Sequence, residues 1–388
     1  MDFGLSPQEE AFREDVRAFL RAELPSGWRG PVDTASDAAD DALWAFSLEM
    51  RRKLAARGWL SLAWPREYGG LGASHLQQLV FDEEMAYHRA PGLDIIGGRM
   101  VGPALMEYGA EEQKRSHLGA ICRGEVTWCQ GFTEPDAGSD LASLQMRAVP
   151  QGDGFVITGQ KVYTGRAHRA QWCALLARTD PAAPKHKGIS YFLVDMSFPG
   201  VTVRPLVDMM GRHFFNQLVF DGVWVPRSCL VGEQDQGWYV AVATLNFERT
   251  GIDYSALARR TLDDVVAYVG DRRAALPARW RHELAERAVE AQVSRWLAYR
   301  VGWLQARGLI PSYEASMSKA FGSDLLQRLA TTAMGILGLY SVLSDSRWAP
   351  LGGWLAQFSL RSISATIPGG TTEVQRNIIA TRGLGLPR

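Results

Sequence analysis

Near its C-terminus the chain reads IPGGTTEVQRNI, Ile367 to Ile378. A proline and two glycines run into two threonines, and an amphipathic segment follows. Such a loop brings backbone N–H groups up to a ligand at a helix N-terminus. It carries no carboxylate before Glu373, which already belongs to the helical segment. A proton-removing reaction at this loop therefore needs a base from elsewhere. In LNFERTG, Leu245 to Gly251, Glu248 stands among Leu245, Phe247 and Ile252, although with Arg249 it also reads as an ordinary solvated helix pair. Apolar surroundings raise a carboxylate's pKa toward values useful to a general base. A third string, TEPDAGSD (Thr133–Asp140), is dense in turn formers. An ordinary tight loop accounts for its Pro135 and Gly138 but not for the whole string.

The elements that must position these residues follow from periodicity. Ser6-Pro7-Gln8-Glu9 is a capping box with proline at the first helical position, and Phe12, Val16, Phe19 and Leu20 then share one face. Helical patterns continue at about Asp40–Arg57, Leu76–His88, Gly102–Gly109 and Glu111–Arg123. Near Val126 the pattern changes. GFVITGQKVY, QWCALLAR, GISYFLVD, GVTVRPL and QLVFDGVWV are short, β-branched and punctuated by Gly, Pro or Asp, as strands of a small barrel or sandwich are. Long helices return at about Tyr239–Val269, Pro277–Arg307 and Ser312–Leu337, with a last one after Thr371. The predicted fold class is α+β and multi-domain: an N-terminal α-helical domain (1–125), a middle β-barrel (126–236) and a C-terminal four-helix bundle (237–388).

Composition narrows the function classes. The 388 residues, 46% hydrophobic, supply more than one core. Lys plus Arg equal Asp plus Glu at 42 each, so no net field favours nucleic acid or an anionic membrane. The longest apolar runs, as around Met334–Leu343, are too short to span a bilayer. MDFGLSPQEEAF has neither basic n-region nor apolar h-region. Cys122, Cys129, Cys173 and Cys229 lack metal or redox spacing and read as reduced thiols of a cytoplasmic protein. His168, His186, His213 and His282 have no ligand spacing, so no metal is expected.

Five strings, in order, resemble the acyl-CoA dehydrogenase family: WPREYGGLG (Trp64–Gly72), TEPDAGSD, ITGQKVYTG (Ile157–Gly165), VWVPRSCLVG (Val223–Gly232) and GGTTEVQRNIIATR (Gly369–Arg382). The resemblance covers nearly the whole chain. It implies FAD at the junction of the three domains and oxidation of an acyl-CoA to the 2-enoyl-CoA. It also implies electron-transfer flavoprotein as acceptor and a dimer or tetramer, homomeric or heteromeric. By the same resemblance Phe132, Thr133, Ser139, Tyr163 and Thr164 contact the flavin or its phosphates, with Ser139 also near substrate. Gly370, Thr371 and Glu373 serve the cofactor, and the Gly369 N–H bonds the thioester oxygen.

Many relatives carry the catalytic Glu where Gly369 stands. The branch resembling isovaleryl- and long-chain-type enzymes keeps it on the first long helix of the bundle, followed by Arg; Glu248 and Arg249 match, which makes Glu248 the base and Arg249 a substrate contact. Three departures stand out: the glycine at 369, DRRAALP in place of an Arg-x-Phe-Gly-type FAD contact, and a missing Gln near MGILGLYS (Met334–Ser341). Arg272 or Arg273 is the candidate replacement in the second. The departures leave two rivals: an FAD-poor partner subunit of a heteromeric steroid- or branched-chain-type dehydrogenase, and a flavin oxidase or monooxygenase on the same fold.

Overall fold

The computed structural model describes residues 4–31, 37–247, 250–270 and 276–387. Five helices come first: α1 (Pro7–Glu23), α2 (Asp37–Ala56), α3 (His75–Tyr87), α4 (Gly102–Tyr108) and α5 (Glu111–Cys122). Eight strands follow: β1 (Trp128–Gly131), β2 (Arg147–Gln151), β3 (Gly154–Gly165), β4 (Trp172–Arg178), β5 (Ile189–Asp195), β6 (Val201–Val207), β7 (His213–Pro226) and β8 (Leu230–Val231). Helices then return: α6 (Gly237–Phe247), α7 (Ile252–Val269), α8 (Ala278–Ala306), α9 (Tyr313–Leu337), α10 (Trp354–Ser364) and α11 (Thr372–Ile378). The order of helices, sheet and helices is the one expected.

Local chemistry sets several of the ends. Ser6 Oγ accepts from the Glu9 N–H while Glu9 accepts from the Ser6 N–H, which closes the expected capping box. Ser74 and Gln77 repeat the device on α3. Gly58, at φ +70°, receives the chain as it leaves α2. The long helix expected over Tyr239–Val269 is instead two: α6 ends at Phe247 and α7 starts at Ile252. Gly251, at φ +71°, leaves the helical region between them. Ser318 Oγ fixes the break by donating to the Thr250 carbonyl at 2.7 Å, and a Cβ on Gly251 would meet that hydroxyl at 2.7 Å.

By contact density the chain forms two compact units. One comprises Met1–Asp33, Ala73–Pro91 and Arg249–Arg388. In it α7, α8 and α9 pack together, α10 and α11 lie on α9, and α1 and α3 add to the layer. Its core includes Leu262, Val265, Leu325, Leu329, Leu355 and Phe358. The other unit comprises Thr34–Gly72 and Gly92–Glu248. Its sheet runs β6-β7-β3-β2-β4-β5-β8, with β1 parallel to β4. One face packs Phe155, Ile157, Phe192, Leu218 and Phe220; another cluster joins Trp64, Val101, Leu105, Trp128 and Tyr191.

The first unit also buries charge. The Glu83 carboxylate, 1% exposed, accepts from Arg295 Nε (2.6 Å), the Tyr299 hydroxyl (2.7 Å) and Arg13 Nη2 (3.1 Å), while Arg259 Nη1 stands 3.4 Å away. Burial alone would raise its pKa. The hydrogen bonds and charges of Arg295, Tyr299 and Arg259 outweigh burial and hold it below the ordinary carboxylate range. Its ionised form therefore favours the fold above the ordinary carboxylate pKa. That contribution disappears as pH falls through the depressed value. Glu83→Ala leaves the guanidiniums without their counter-charge and should cost about 3–5 kcal/mol. Urea titration at neutral pH measures this, and the gap between parent and variant should narrow in acid.

Candidate active site

The two units present candidate site residues on two loops, each built in the same way. In the first unit the chain leaves α10 and turns through Gly369 (φ +68°) and Gly370 (φ +94°) into α11. Gln375, 1% exposed, reaches back from α11. Its amide nitrogen donates to the Gly369 carbonyl at 2.9 Å and to the Gly370 carbonyl at 3.2 Å. Lys319 Nζ takes the Thr366 carbonyl at 3.0 Å, and the Thr372 N–H donates to the same oxygen at 3.0 Å. Thr371 caps α11 through its hydroxyl, which accepts from the Val374 N–H at 3.3 Å. The loop carbonyls are thus held from within. Among the described residues the Gly369 and Gly370 N–H groups have no partner. Glu373 is exposed, and the N–H and hydroxyl groups around the start of α11 hold its carboxyl below the usual range.

The glycines differ. A Cβ on Gly369 would meet nothing within 4 Å, whereas one on Gly370 would meet Gln375 Nε2 at 2.6 Å. Both positions are in the left-handed region that L side chains disfavour.

In the second unit the loop after β1 carries Phe132 (buried), Thr133 (half-buried) and Ser139 (exposed). Glu134 faces inward and is the hub of the loop. Its carboxylate accepts from the Gln145 N–H (2.6 Å), the Met146 N–H (2.9 Å) and Lys161 Nζ (2.8 Å). Lys161 also donates to the Phe132 carbonyl at 3.0 Å. Burial pulls its ammonium pKa down to about 8, and the Glu134 charge and hydrogen bond offset part of that fall. The Val162 N–H binds the Thr133 carbonyl at 2.9 Å, joining this loop to β3. Among the described residues the Thr133 N–H and hydroxyl have no partner.

On β3 the register with β7 slips between Lys161 and Thr164, so one extra residue bulges out. Tyr163 occupies the bulge at φ +56° with its ring 67% exposed, edge-on to Phe215 at 6.3 Å. A bulky residue at positive φ stores strain of the kind found at ligand sites. The next residue turns the other way: the Thr164 hydroxyl is buried without a hydrogen-bond partner among the described residues, and Asn216 Nδ2 holds its carbonyl at 3.0 Å. Thr133 and Tyr163 therefore lie on tied loops, while Thr164 presents no side-chain group to solvent.

Glu248, Arg249, Arg272 and Arg273 lie outside the described residues. Sequence reading missed Lys161 and Gln375, the two buried donors that shape the loops. Among the described residues no cluster of three or more His, Cys, Asp or Glu could hold a metal, and no helix is long and apolar enough to cross a membrane. A cavity of ≈ 20 Å³ beside Arg51, Asp94 and Val126 admits about one water, too little for an acyl chain.

These loops sit on a chain whose three stretches each match a family description. Acyl-CoA dehydrogenase N-terminal, middle and C-terminal domains match residues 6–125, 129–223 and 235–384. The chain belongs to the acyl-CoA dehydrogenase family. It is 38% identical over 340 residues to acyl-CoA dehydrogenase FadE34 of Mycobacterium tuberculosis, a match covering 86% of this chain and 46% of that protein. It thus spans about half the length of that relative. Among solved structures it resembles one described as the Tcur3481-Tcur3483 steroid ACAD, at 35% identity and TM-score 0.90, covering 100% of both chains. The ChsE4-ChsE5 complex from Mycobacterium tuberculosis is similar too, at 32% identity and TM-score 0.89, again over 100% of both chains.

The loop geometry makes a comparison of the two glycines decisive. Gly369→Ala should cost about 1 kcal/mol, the strain of a left-handed alanine alone. Gly370→Ala adds displacement of Gln375 and loss of its two carbonyl contacts, about 1–3 kcal/mol more. Chemical denaturation of the two variants tests the order; equal losses would mean that Gln375 does not brace the loop.

Proposed function

We propose that the chain is an FAD-dependent dehydrogenase that converts an acyl-CoA thioester to the trans-2-enoyl-CoA, with Glu248 as the base for the α-proton. The observation that carries this reading is the Gly369–Gly370 turn, whose carbonyls are held by Gln375 and whose N–H groups have no partner among the described residues. A thioester oxygen needs such a donor, because the charge that grows on it as the α-proton leaves must be stabilised without reorganisation. The Gly369 N–H serves that role with no side chain. A base must then come from elsewhere, and Glu248, in LNFERTG, is the candidate by sequence. Its apolar sequence neighbours favour a raised pKa, which suits proton abstraction near neutrality. Arg249 beside it is a substrate contact in this reading.

The residues present fit FAD. Thr133 offers an N–H and hydroxyl without a partner among the described residues, Tyr163 an exposed aromatic face on a strained bulge, and Ser139 an exposed hydroxyl. Phe132 lies next to Thr133. By sequence resemblance Gly370, Thr371 and Glu373 are further cofactor contacts; Thr371 caps α11 and Glu373 lies in its first turn, where backbone N–H groups and the helix dipole suit phosphate or polar cofactor groups. Arg273 is the further cofactor contact by sequence. FAD, when bound, supplies the acceptor for the hydride that leaves the β-carbon. Electron-transfer flavoprotein then takes the electrons, and the chain works in the cytoplasm.

The open space at Gly369 favours a bulky, branched or polycyclic acyl group over a slim one. Likeness to a structure described as a steroid ACAD supports the same substrate class. A second reading has its own support. The ChsE4-ChsE5 structure is a complex of two named components, and the departures at DRRAALP and MGILGLYS weaken the expected FAD contacts. In that reading this chain is one subunit of a heteromer.

Two measurements test the proposal. The chain purified alone should be yellow with noncovalent FAD; a well-folded, colourless homo-oligomer that takes up no added FAD would favour the partner-subunit reading. Glu248→Gln should keep FAD but slow anaerobic bleaching by its best acyl-CoA about 100- to 10,000-fold, as expected for loss of a general base. Parental bleaching rates in that variant would remove Glu248 from the mechanism.

A further inference from the structure

Lys161 sits where a lysine is costly. It is 0% exposed on the inward face of β3, and its nearest charge is Glu134 at 2.8 Å. A structural ion pair would account for that contact alone. The second contact is of another kind. Nζ also donates to the Phe132 carbonyl at 3.0 Å. The Phe132 carbonyl and the Thr133 N–H belong to one peptide unit, whose resonance couples oxygen to nitrogen. A cation on the oxygen draws electron density from the nitrogen and makes the N–H a stronger donor, by the cooperativity that links serial hydrogen bonds. Charge-assisted bonds of this sort are about twice as strong as neutral ones. The rest of the loop keeps the peptide in place. The Val162 N–H holds the Thr133 carbonyl at 2.9 Å, and Glu134 holds the Gln145 and Met146 N–H groups at 2.6 and 2.9 Å. The Thr133 N–H is left without a partner among the described residues.

We propose that Lys161 is a positioning residue that polarises the Phe132–Thr133 peptide and so sets the donor strength of the Thr133 N–H toward the bound flavin. The inference rests on the reading of this loop as a flavin contact. A stronger donor at the ring stabilises the electron-rich, reduced form more than the oxidised one. Lys161 thereby raises the tendency of the site to accept electrons without touching cofactor or substrate. Glu134 keeps the ammonium charged inside the protein.

The test uses the full chain with FAD, and Lys161→Met, Lys161→Gln and Lys161→Arg. The flavin is equilibrated with a reference dye, and the ratio of reduced to oxidised flavin is read spectroscopically. Lys161→Met should lower that ratio about fivefold, the factor for one hydrogen bond's net strength. Lys161→Arg, which keeps the charge, should restore most of it. A second readout needs no cofactor. In 15N-threonine-labelled apoprotein the Thr133 amide proton should move upfield in Lys161→Met and return toward the parental shift in Lys161→Arg. Should Lys161→Met fail to fold, Lys161→Gln carries both readouts, because it keeps a donor of similar reach and removes the charge. A folded neutral variant with parental flavin ratio and parental Thr133 shift overturns the proposal. A parent chain that binds no flavin overturns the functional reading instead, and the amide shift still decides the role of Lys161.

Discussion

Three buried side chains do one job in this protein: they take main-chain carbonyl oxygens from the inside. Gln375 holds Gly369 and Gly370, Lys161 holds Phe132, and Asn216 holds Thr164. A peptide unit whose oxygen is satisfied internally cannot rotate to turn that oxygen outward without leaving a buried donor unpaired. The loss would be about 1–3 kcal/mol for a neutral group and more for a charged one. The orientation of these peptides is therefore fixed by their carbonyl side, and among the described residues the Gly369, Gly370 and Thr133 N–H groups have no partner. Ordering the loop before binding also removes an entropic cost from the binding step. A loop held by its own N–H groups would have the opposite polarity and would favour cations.

The cost of this arrangement explains what surrounds it. A buried lysine is expensive unless paired and fully hydrogen-bonded. Lys161 is paired with Glu134, and Glu134 in turn has two backbone N–H donors. The chain between Phe132 and Met146 is thus tied at both ends to one carboxylate, so its turns need little regular structure. A methionine at 161 would remove the penalty of burying charge but leave Glu134 without its cation. Gln375 is the cheaper solution, because a neutral amide needs no counter-charge. Its fit imposes a different constraint: the absence of a side chain at Gly370, where a Cβ would stand 2.6 Å from its nitrogen. The two glycines of the loop look alike in sequence and have different reasons to be there.

Much of the fold was legible because its signals are local. Capping at Ser6, the stop at Gly58 and the β-branched strands each announce an element within a few residues. The break after α6 was not read, since LNFERTGIDY continues an apolar pattern through Gly251. That glycine leaves the helical region, and Ser318 from α9 binds the Thr250 carbonyl beside it. A strand before TEPDAGSD was read, and β1 is there, whereas β2 is short, gains its identity from pairing with β3 and was not read. The candidate loops were found by their strings, yet their supports were missed for a common reason. Lys161 and Gln375 are polar, and polar residues are assigned to solvent by default. Parity contained the signal: Phe155, Ile157 and Lys161 fall on one face of β3, and all are buried. Likewise Thr372 and Gln375 lie three apart on α11, and both are buried. A lysine in phase with a strand's core face demands a partner, and Glu134 in the neighbouring loop was the available carboxylate.

The strain at Tyr163 extends the same logic to a side chain. A β-strand alternates its residues between two faces, so Lys161 and Tyr163 would ordinarily point the same way. Lys161 is inside, paired with Glu134, and the Tyr163 ring is outside. One extra residue between Lys161 and Thr164 resolves the conflict by shifting parity once. The price is a tyrosine at φ +56°, where glycine would be relaxed but would present no ring. Neighbouring bonds over-determine the bulge: Asn216 holds the Thr164 carbonyl, the Val162 N–H holds Thr133, and the Arg166 N–H holds the Phe214 carbonyl at 2.8 Å. Relaxing Tyr163 would break one of these three. The buried lysine and the exposed tyrosine are thus two consequences of one bulge, since neither orientation is compatible with the other on a regular strand.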